Sequence, residues 1–451
     1  MKTKKLKTLF FCSECGASSP KWQGQCSNCG KWNCLIEEPS SPSFSPFKTV
    51  KQKPTMLSQQ FPKSTTRVPT GIKELDRVLG GGLVSGSYIL LGGAPGIGKS
   101  TLFLQMAQGL SRQKLKVFYV SAEESLEQTS LRAERLNLKN QDNIFISNET
   151  SLEKIFHHIE SIKPNVLIVD SIQTVQMSDT SSAPGTISQV RECAGQFMSF
   201  AKNTNTAVFL IGHITKDGQL GGPRLLEHMV DTVLSFDGDP HYPFRLLRAL
   251  KNRFGAINEI GVFQMSAEGL KEVSNPSEFF LEERKEDLIG SVVFTAIEGS
   301  RPLLCEIQAL CLRSYLSVPR RTTIGLDTNR LHKISAVLDR YLKIGLSQCD
   351  MFLNLPGGLK ITEPGVDLPI AKALISSKKQ EPVDKLSCFF GEIDLTGKIR
   401  TCTFTEDRIK EAHRLGFKNI YLPEGSKKHL IKNTITEKLN LHWLQSIKDL
   451  L

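Results

Sequence analysis

Short apolar runs alternate with amphipathic stretches through the middle of the chain. The runs SYILLG, KVFYVS, NVLIVDS, AVFLIGH and DTVLSF each end in a small or polar residue. Strands that are apolar on both faces and separated by helical segments are typical of a parallel sheet covered on both sides. The pattern therefore predicts an α/β domain with a parallel sheet over residues 68–272.

The segments that flank this domain have different patterns. Residues 1–37 form a short unit rich in cysteine, glycine and tryptophan, and residues 38–67 contain five prolines without a sustained apolar period. The second composition predicts an extended linker. Another break over residues 273–288 precedes a C-terminal α+β region over residues 289–451, where strand-like and helical patterns are mixed. We expect three folded parts joined by two linkers.

Composition and charge exclude several classes of protein. The chain has 451 residues, 39% of them hydrophobic, which excludes a largely disordered polypeptide. Its formal net charge of +11 weakly favours a polyanionic partner such as nucleic acid. No apolar run reaches the ~18 residues that a membrane helix needs, and the run Leu9–Phe11 is too short for a signal peptide. We expect a cytoplasmic protein without a membrane partner.

Two CxxC pairs lie near the N-terminus, formed by Cys12 with Cys15 and by Cys26 with Cys29. Each pair places two thiolates on one tight turn, and two such turns complete the tetrahedral coordination of Zn²⁺. Four sulfur ligands leave no open position, so the predicted zinc is structural. We expect Trp22 and Trp32 to cover the metal, and Cys34, which has no partner at a matching spacing, is left out. Cysteines without metal, reduced or disulfide-linked, are the alternative.

The run SYILLG leads into a glycine-rich loop, GGAPGIGKST, which matches the P-loop pattern between a strand and a helix. In this motif backbone N–H groups surround nucleotide phosphates, and the helix N-terminus adds positive potential. We expect Lys99 to reach the β- and γ-phosphates and the Ser100 hydroxyl to bind Mg²⁺. The predicted ATP-binding residues are Gly93, Ala94, Pro95, Gly96, Ile97, Gly98, Lys99, Ser100 and Thr101.

Polar side chains follow three other predicted strands. Asp170 ends NVLIVDS and is expected to bind Mg²⁺ through water. Glu123 and Glu124 follow KVFYVS, and we prefer Glu123 as the carboxylate that activates the attacking water. The alternative is a solvated helix start, where acidic residues are favoured by the helix dipole. His213 ends AVFLIGH and is either a γ-phosphate sensor or a structural residue.

The order of these motifs, continued by LEHMVDTVL and LLRALKNRFG, resembles the RadA (Sms) family of bacterial DNA-repair proteins over essentially the whole chain. The resemblance implies a RecA-like P-loop ATPase core, which is similar to that of replicative ring helicases. It implies a homo-oligomer, a hexameric ring, that binds single-stranded and branched DNA. It also implies ATP hydrolysis that drives branch migration of recombination intermediates made by RecA, within DNA damage and stress responses.

The pentapeptide Lys251–Gly255, KNRFG, is a signature of that family. Its two cations lie on a turn that follows a strand. Lys251 or Arg253 could therefore act as a finger that reaches the γ-phosphate of a neighbouring subunit. The segment could instead contact DNA, with Phe254 stacked on a base, or form a basic surface turn with Phe254 in the core. These alternatives stay open.

The C-terminal region resembles the proteolytic domain of Lon in LPGGLKITEPGVDLPIAKALISS, FGEIDLTGKIR and RIKEAHRLGF. A peptidase of that type needs a serine nucleophile activated by a lysine. Residues Glu363–Pro369, at the serine position, contain no Ser or Thr, and Glu406 lies near the lysine position with Lys410 a turn away. We expect a proteolytically inactive domain that scaffolds a ring and adds a basic DNA-binding surface.

Basic residues in two regions are candidate DNA contacts. The loop over residues 216–224 lies where RecA-like ATPases present their DNA-binding loops, and the Lon-like region adds further cations. The candidates are Lys216, Arg224, Arg320, Arg321, Arg330 and Lys360. Each of them is otherwise a solvated surface residue.

Three functions compete on this evidence. The favoured one is a DNA-dependent ATP hydrolase that moves on DNA, with the zinc module in contact with RecA or DNA. An ATP-dependent Lon-like protease is disfavoured because the Ser–Lys pair is missing. A non-motor RecA-like switch or kinase is the third hypothesis, and the predicted zinc module gives it no support. Hydrolysis stimulated by DNA, cleavage of an unfolded protein, or phosphate on the protein itself would distinguish them.

Overall fold

The computed structural model describes residues 8–12, 18–19, 21–28, 30–39, 66–138, 142–178, 185–213, 225–238, 244–257, 259–281, 287–430 and 438–451. The chain divides into two compact units, Met1–Val273 and Ser274–Leu451. Within the described residues, no helix combines the length and apolar character needed to cross a membrane.

The first unit begins with a small antiparallel sheet. Its strands are β1 (Thr8–Cys12), β2 (Ser18–Ser19) and β3 (Leu35–Pro39). They are ordered β2-β1-β3, and Cys12 pairs with Leu35. Among the described residues of this ribbon, the buried hydrophobic cluster consists of Cys12, Cys26, Cys34 and Leu35. A core of three thiols and one leucine buries little apolar area, which is why domains of this size depend on a metal or disulfides.

The first unit continues into a nine-stranded sheet. Before it in the chain, β4 (Arg67–Val68) and β5 (Leu83–Val84) pair with each other as a separate two-stranded sheet. The strands of the large sheet, in chain order, are β6 (Tyr88–Gly93), β7 (Val117–Ser121), β8 (Ile144–Ser147), β9 (Val166–Asp170), β10 (Ala207–His213), β11 (Thr232–Asp237), β12 (Phe244–Asn252), β13 (Ile260–Ser266) and β14 (Gly269–Glu272). The order across the large sheet is β14-β13-β12-β11-β6-β10-β9-β7-β8. Strands β11 through β8 in that order are parallel, and β12, β13 and β14 extend the sheet by antiparallel pairing. The predicted α/β core is confirmed.

Helices cover both faces of this sheet. They are α1 (Lys73–Val78), α2 (Lys99–Ser111), α3 (Leu126–Arg135), α4 (Leu152–Ile162), α5 (Ile187–Thr204) and α6 (Leu225–Met229). Alternate residues of β6 enter different apolar clusters, because successive side chains of a strand point to opposite faces. Ile89 and Leu91 pack in the cluster that contains α2, whereas Tyr88 and Leu90 pack in the cluster that contains α4 and α5.

The second unit is built on a mixed seven-stranded sheet. The strands of the whole unit, including two separate two-stranded sheets, are β15 (Leu288–Ile289), β16 (Ser291–Glu298), β17 (Arg301–Arg313), β18 (Arg321–Ile324), β19 (Cys349–Asn354), β20 (Pro382–Val383), β21 (Ser387–Phe389), β22 (Glu392–Ile393), β23 (Ile399–Arg400), β24 (Asn419–Pro423) and β25 (Asn440–Leu444). Its helices are α7 (Pro276–Phe280), α8 (Thr328–Leu342), α9 (Asp367–Lys379) and α10 (Thr405–Arg414). The main sheet has the order β18-β19-β17-β16-β21-β24-β25, and α9 packs on β16 and β17.

Candidate functional site

The parallel strands bring the predicted catalytic residues to one edge of the large sheet. Strand β6 ends at Gly93, directly before the P-loop, and Gly93 is in register with His213 at the end of β10. Ser121 at the end of β7 is in register with Asp170 at the end of β9. Because the carboxyl ends of parallel strands share an edge, the P-loop and the acidic residues form one crevice there.

The P-loop has the conformation of an anion-binding turn. Gly98 precedes α2 with φ 116°, a left-handed conformation that favours glycine, and a β-carbon there would meet Met265 Cε at 2.8 Å. At Gly96 a β-carbon would meet no described heavy atom within 4 Å. The loop thus faces open space at the N-terminus of a 13-residue helix, an arrangement that fits a phosphate group.

Lys99 is buried inside this loop. Its ammonium donates hydrogen bonds to the carbonyl oxygens of Gly93 and Ala94 at 2.8 and 2.9 Å, and the residue is 6% exposed. Burial lowers the pKa of Lys99, and the negative charges of Asp170 and Glu123 oppose that shift. The cation is therefore held between the phosphate-binding loop and the acidic strand ends.

Asp170 lies across from Lys99 and is joined to the P-loop helix. Its carboxylate accepts hydrogen bonds from the Tyr119 hydroxyl at 2.6 Å and from the Ser100 hydroxyl. Burial raises the pKa of Asp170, and these two hydrogen bonds act against the increase. Hydroxyl and carboxylate oxygens are the ligands that Mg²⁺ prefers, so Ser100 and Asp170 fit the predicted metal. Tyr119 was not predicted, because a tyrosine inside an apolar strand has no distinguishing pattern.

Glu123 and Glu124 have different surroundings. Glu123 is exposed and accepts a short hydrogen bond from the Ser171 hydroxyl. Glu124 forms an ion pair with Arg132 of α3 at 2.5 Å, and α3 itself begins at the capping residue Ser125. The ion pair occupies Glu124, which favours Glu123 as the residue that acts on water. The orienting residue Ser171 was not predicted.

Two of the predicted regions are only partly covered. The backbone of His213 ends β10 beside the P-loop, but its side chain lies outside the described residues. The loop that contains Lys216 and Arg224 lies entirely outside the described residues.

The KNRFG segment lies at the opposite edge of the sheet. Lys251 is in register with Val233 near the start of β11, and Thr232 is in register with Ile89 near the start of β6. The Lys251 ammonium donates to the carbonyl oxygens of Glu227 and Val230 at 2.7 and 2.8 Å. Burial lowers its pKa, and the neighbouring Arg253 lowers it further. Val233 is itself in register with Leu90, so three residues of β6 separate the level of Lys251 from Gly93 of the P-loop.

The turn is held in place by contacts that were not predicted. Arg253 forms an ion pair with Asp231 at 3.1 Å and keeps a 54% exposed side chain. Arg67 donates a short hydrogen bond to the carbonyl oxygen of Phe254. Gly255 packs against Gly80 so closely that a β-carbon on Gly255 would meet the Gly80 Cα at 2.8 Å. The segment is therefore a fixed feature of the first unit.

The ribbon holds three cysteine sulfurs in one cluster. The Sγ atoms of Cys12, Cys26 and Cys34 all lie within 4.8 Å of one another. Cys15 and Cys29 lie outside the described residues. A buried group of soft thiol ligands fits Zn²⁺. Cys34 was not among the predicted ligands, because the pairing of β1 with β3, which brings it to Cys12, cannot be derived from CxxC spacing.

The expected tryptophan cover of the metal is wrong. Trp22 is 58% exposed and Trp32 is 70% exposed. The cysteine cluster instead packs with Leu35 and the partly buried Phe10. The indole rings are too large to enter a core that small.

In the second unit, a buried carboxylate lies within residues 363–369, the segment in which the serine of a Lon-like peptidase was expected. Asp367 is fully buried and forms ion pairs with Arg330 at 2.5 Å and Lys333 at 2.7 Å. Glu406, near the lysine position, pairs with Lys410 at 2.9 Å. These contacts supply no nucleophile and no activating base.

The same contacts change the set of candidate DNA-binding residues. Arg330 is bound to Asp367 and to the Thr362 carbonyl, and Arg321 contacts His332 at 2.7 Å. Both are only partly exposed. Arg320 and Lys360 are exposed and stay candidates.

Three family descriptions match separate parts of the chain. Residues 10–37 match a rubredoxin metal binding domain, residues 54–219 an AAA domain, and residues 328–426 the subunit ChlI of Mg-chelatase. The zinc ribbon, the P-loop ATPase core and the Lon-like region are therefore each supported by a match at the expected place.

Curated relatives cover nearly the whole chain. The DNA repair protein RadA of Listeria monocytogenes is 48% identical over 94% of this chain and 93% of its own length. The DNA repair protein RadA of Rickettsia bellii is 50% identical over 92% of this chain and 93% of its own length. Among solved structures, a KaiC-like protein from Pyrococcus horikoshii is 18% identical, covers 46% of this chain and 99% of its own, and has a TM-score of 0.39. On the identity and coverage of the curated relatives, the chain belongs to the RadA family of DNA repair proteins, with a RecA-like ATPase core.

Proposed function

We propose that this protein is a DNA-stimulated ATP hydrolase that assembles into a closed ring, a hexamer, and drives branch migration of RecA-made recombination intermediates. Membership in a family of DNA repair proteins supports the DNA substrate. The formal net charge of +11 is compatible with binding to single-stranded and branched DNA. The zinc ribbon would contact RecA or DNA, and the cytoplasm is where these partners occur.

One observation carries the proposal of a ring. The P-loop follows the carboxyl end of β6, whereas the KNRFG turn lies on the side of the sheet where β6 begins. Lys251 is level with Val233 and, through it, with Leu90, so at roughly 3.3 Å per residue it lies about 10 Å from Gly93 along the strand direction. The Lys251 ammonium is bound to the Glu227 and Val230 carbonyls and Arg253 to Asp231, so both cations are held away from the P-loop of their own chain. A head-to-tail assembly would place them at the P-loop of the next subunit, and closure of that assembly gives a ring.

The catalytic roles follow from the geometry at the carboxyl edge. Lys99 would exchange its bonds to Gly93 and Ala94 for phosphate oxygens. Ser100 and Asp170 would hold Mg²⁺, which when bound neutralises charge that develops on the phosphates. Glu123, oriented by Ser171, would take a proton from the attacking water. Lys251 or Arg253 of the neighbouring subunit would stabilise the transferred phosphoryl group and transmit its state to the DNA-binding residues.

We predict that Glu123→Gln lowers ATP hydrolysis by about two to three orders of magnitude. The amide keeps the size of the side chain but cannot accept the proton. Binding of ATP should stay within about threefold, because Lys99 and Ser100 are unchanged. Steady-state hydrolysis and binding of a fluorescent ATP analogue measure the two effects. Glu124→Gln is the matched control, since its ion pair with Arg132 leaves it no catalytic role, and an equal loss in both variants would contradict the assignment.

We predict that Lys251→Ala binds ATP normally but loses DNA-stimulated hydrolysis and branch migration. The reason is that the ammonium acts on the site of the adjoining subunit. Lys271→Ala, which removes an exposed lysine that pairs with Glu268, is the control. Hydrolysis, ATP binding and migration of a synthetic three-strand junction are measured for each variant.

Mixing two inactive variants tests the trans arrangement directly. Lys251→Ala keeps an intact P-loop, whereas Lys99→Ala keeps an intact Lys251. If the sites are shared between subunits, mixed rings should recover hydrolysis at about a quarter of their sites after random exchange. No recovery, with exchange verified by fluorescent labels, would contradict the shared site.

A further inference from the structure

The zinc ribbon contains more thiols than its metal needs. The CxxC pairs provide Cys12, Cys15, Cys26 and Cys29, and a structural zinc takes four ligands. The structure nevertheless places the Cys34 sulfur within 4.8 Å of the sulfurs of Cys12 and Cys26. A fifth thiol is thus available beside a site with four positions.

The fold fixes Cys34 next to Cys12. Strands β1 and β3 pair so that Cys12 lies opposite Leu35, and Cys34 directly precedes Leu35. Before it, Asn33 adopts a positive φ of 54°, and its N–H bonds to the Gly24 carbonyl at 2.7 Å. The two sulfurs of Cys12 and Cys34 are 3.3 Å apart. The Cys34 thiol also donates to the Lys31 carbonyl at 3.2 Å, so its sulfur has two polar contacts.

We propose that Cys34 is a reserve thiol that makes the zinc ribbon a peroxide-sensitive metal switch. The Cys34 thiol attacks hydrogen peroxide, which yields a sulfenic acid on Cys34 and one water. The Cys12 thiolate then attacks the Cys34 sulfur, which forms the Cys12–Cys34 disulfide and, with one proton, releases a second water. Two electrons pass from the two sulfurs to one peroxide. Zinc loses Cys12 as a ligand and dissociates.

Among the cysteines that the structure describes, the distance between the sulfurs favours the Cys12–Cys34 pair. A disulfide bond is about 2.05 Å long, so the two sulfurs need to approach by only about 1.3 Å from their separation of 3.3 Å. Cys34 is 6% exposed, compared with 0% for Cys12 and 3% for Cys26. Among these three buried cysteines Cys34 has the largest exposed fraction, which favours attack of peroxide there, and Cys12 stands beside it as the resolving thiol. In a reducing compartment such a disulfide is transient and is reversed by thiols.

Loss of zinc would change the ribbon as a whole. Its buried core consists of Cys12, Cys26, Cys34 and Leu35, so little apolar packing remains once the metal is gone. The inference depends on zinc binding by the ribbon and is independent of the proposed DNA-coupled hydrolysis. Peroxide would disconnect whatever partner the ribbon contacts and would leave the P-loop residues untouched.

The test uses the full-length, zinc-loaded protein exposed to graded hydrogen peroxide. Zinc release is followed with a colorimetric chelator, and the disulfide is located by mass spectrometry of unreduced peptides. Cys34→Ser and Cys34→Ala are compared with Cys402→Ser, a control that removes the partly exposed cysteine of the second unit. We expect both Cys34 variants to bind one zinc but to release it at least about tenfold more slowly than the wild type, because the neighbouring thiol is gone.

The outcomes separate the proposal from its rivals. A Cys12–Cys34 disulfide in the wild type, reversed by dithiothreitol and zinc, with slow release in both Cys34 variants, is the expected result. Equal release rates in wild type and variants would overturn it. So would a disulfide that lacks Cys34. Failure of both Cys34 variants to retain zinc would show an obligatory ligand in place of a reserve thiol and would also overturn the proposal.

Discussion

Replacing Lys99 with alanine should reduce ATP hydrolysis by roughly two to three orders of magnitude without unfolding the protein. The ammonium lies inside the P-loop, 2.8 Å from the Gly93 carbonyl, and is the cation placed to bind the transferred phosphate. Burial lowers its pKa, which means that the folded chain holds this charge at a cost. Removal of the side chain therefore leaves the thermal unfolding midpoint unchanged or slightly higher.

Two measurements check this expectation. Hydrolysis is followed by phosphate release, and folding by the thermal unfolding midpoint of the same samples. Lys154→Ala is the control, because Lys154 is 69% exposed and pairs with Glu149 at the surface. Hydrolysis by Lys99→Ala within a few-fold of the wild type would contradict the assigned role. A large drop in the midpoint would show that the lysine is structural.

Arg408→Ala should destabilise the second unit by about 3–5 kcal/mol. Arg408 is completely buried. Its guanidinium forms short bonds to Glu363 and the Thr295 carbonyl and a 3.0 Å bond to the Thr403 carbonyl. Its removal leaves a carboxylate and two carbonyl groups without their donor and opens a cavity in the core.

A surface arginine provides the matched control for that prediction. Arg400 is 60% exposed and pairs with Asp394, so Arg400→Ala should cost at most about 1 kcal/mol. The chain has three tryptophans, and Trp22→Phe with Trp32→Phe leaves Trp443 as a fluorescent reporter of the second unit alone. Urea unfolding is then read from Trp443. A cost below about 1 kcal/mol for Arg408→Ala would contradict the account of a buried ion pair.

The parts of the site that depend on local sequence could be predicted. The P-loop is a contiguous pattern of glycines with a lysine and a hydroxyl, and its position between strand and helix follows from hydrophobic periodicity. Asp170 and Glu123 could be placed beside it because the ends of parallel strands share an edge. The roles of these residues stay predictions, while the RecA-like fold class is confirmed.

The parts that depend on distant pairing could not be predicted. Tyr119 and Ser171 orient the acidic residues through contacts that no spacing rule gives. Lys251 lies toward the amino ends of the parallel strands because β12 returns antiparallel beside β11. The sequence pattern of a strand does not show whether it runs parallel or antiparallel to its neighbours. Cys34 joins the thiol cluster for the same reason, since only the register of β1 and β3 brings it to Cys12.

The basic candidates show a further limit of sequence. Arg330 and Arg320 are both arginines in polar contexts, yet Arg330 is bound to the buried Asp367 and Arg320 is exposed. A cation that neutralises a buried carboxylate is indistinguishable in sequence from one that is free to bind phosphate. The prediction of an inactive Lon-like site rests on the absence of Ser and Thr from residues 363–369, and it stays a prediction.

The central claim is that ATP hydrolysis is coupled to DNA, and one measurement tests it most directly. Phosphate release by the purified protein is measured with and without single-stranded DNA, beside Lys99→Ala. We expect DNA to stimulate hydrolysis by the wild type, and we expect hydrolysis by Lys99→Ala to stay roughly two to three orders of magnitude lower under either condition. If wild-type hydrolysis is the same with and without DNA, while Lys99→Ala has lost hydrolysis, the result contradicts coupling of ATP hydrolysis to DNA.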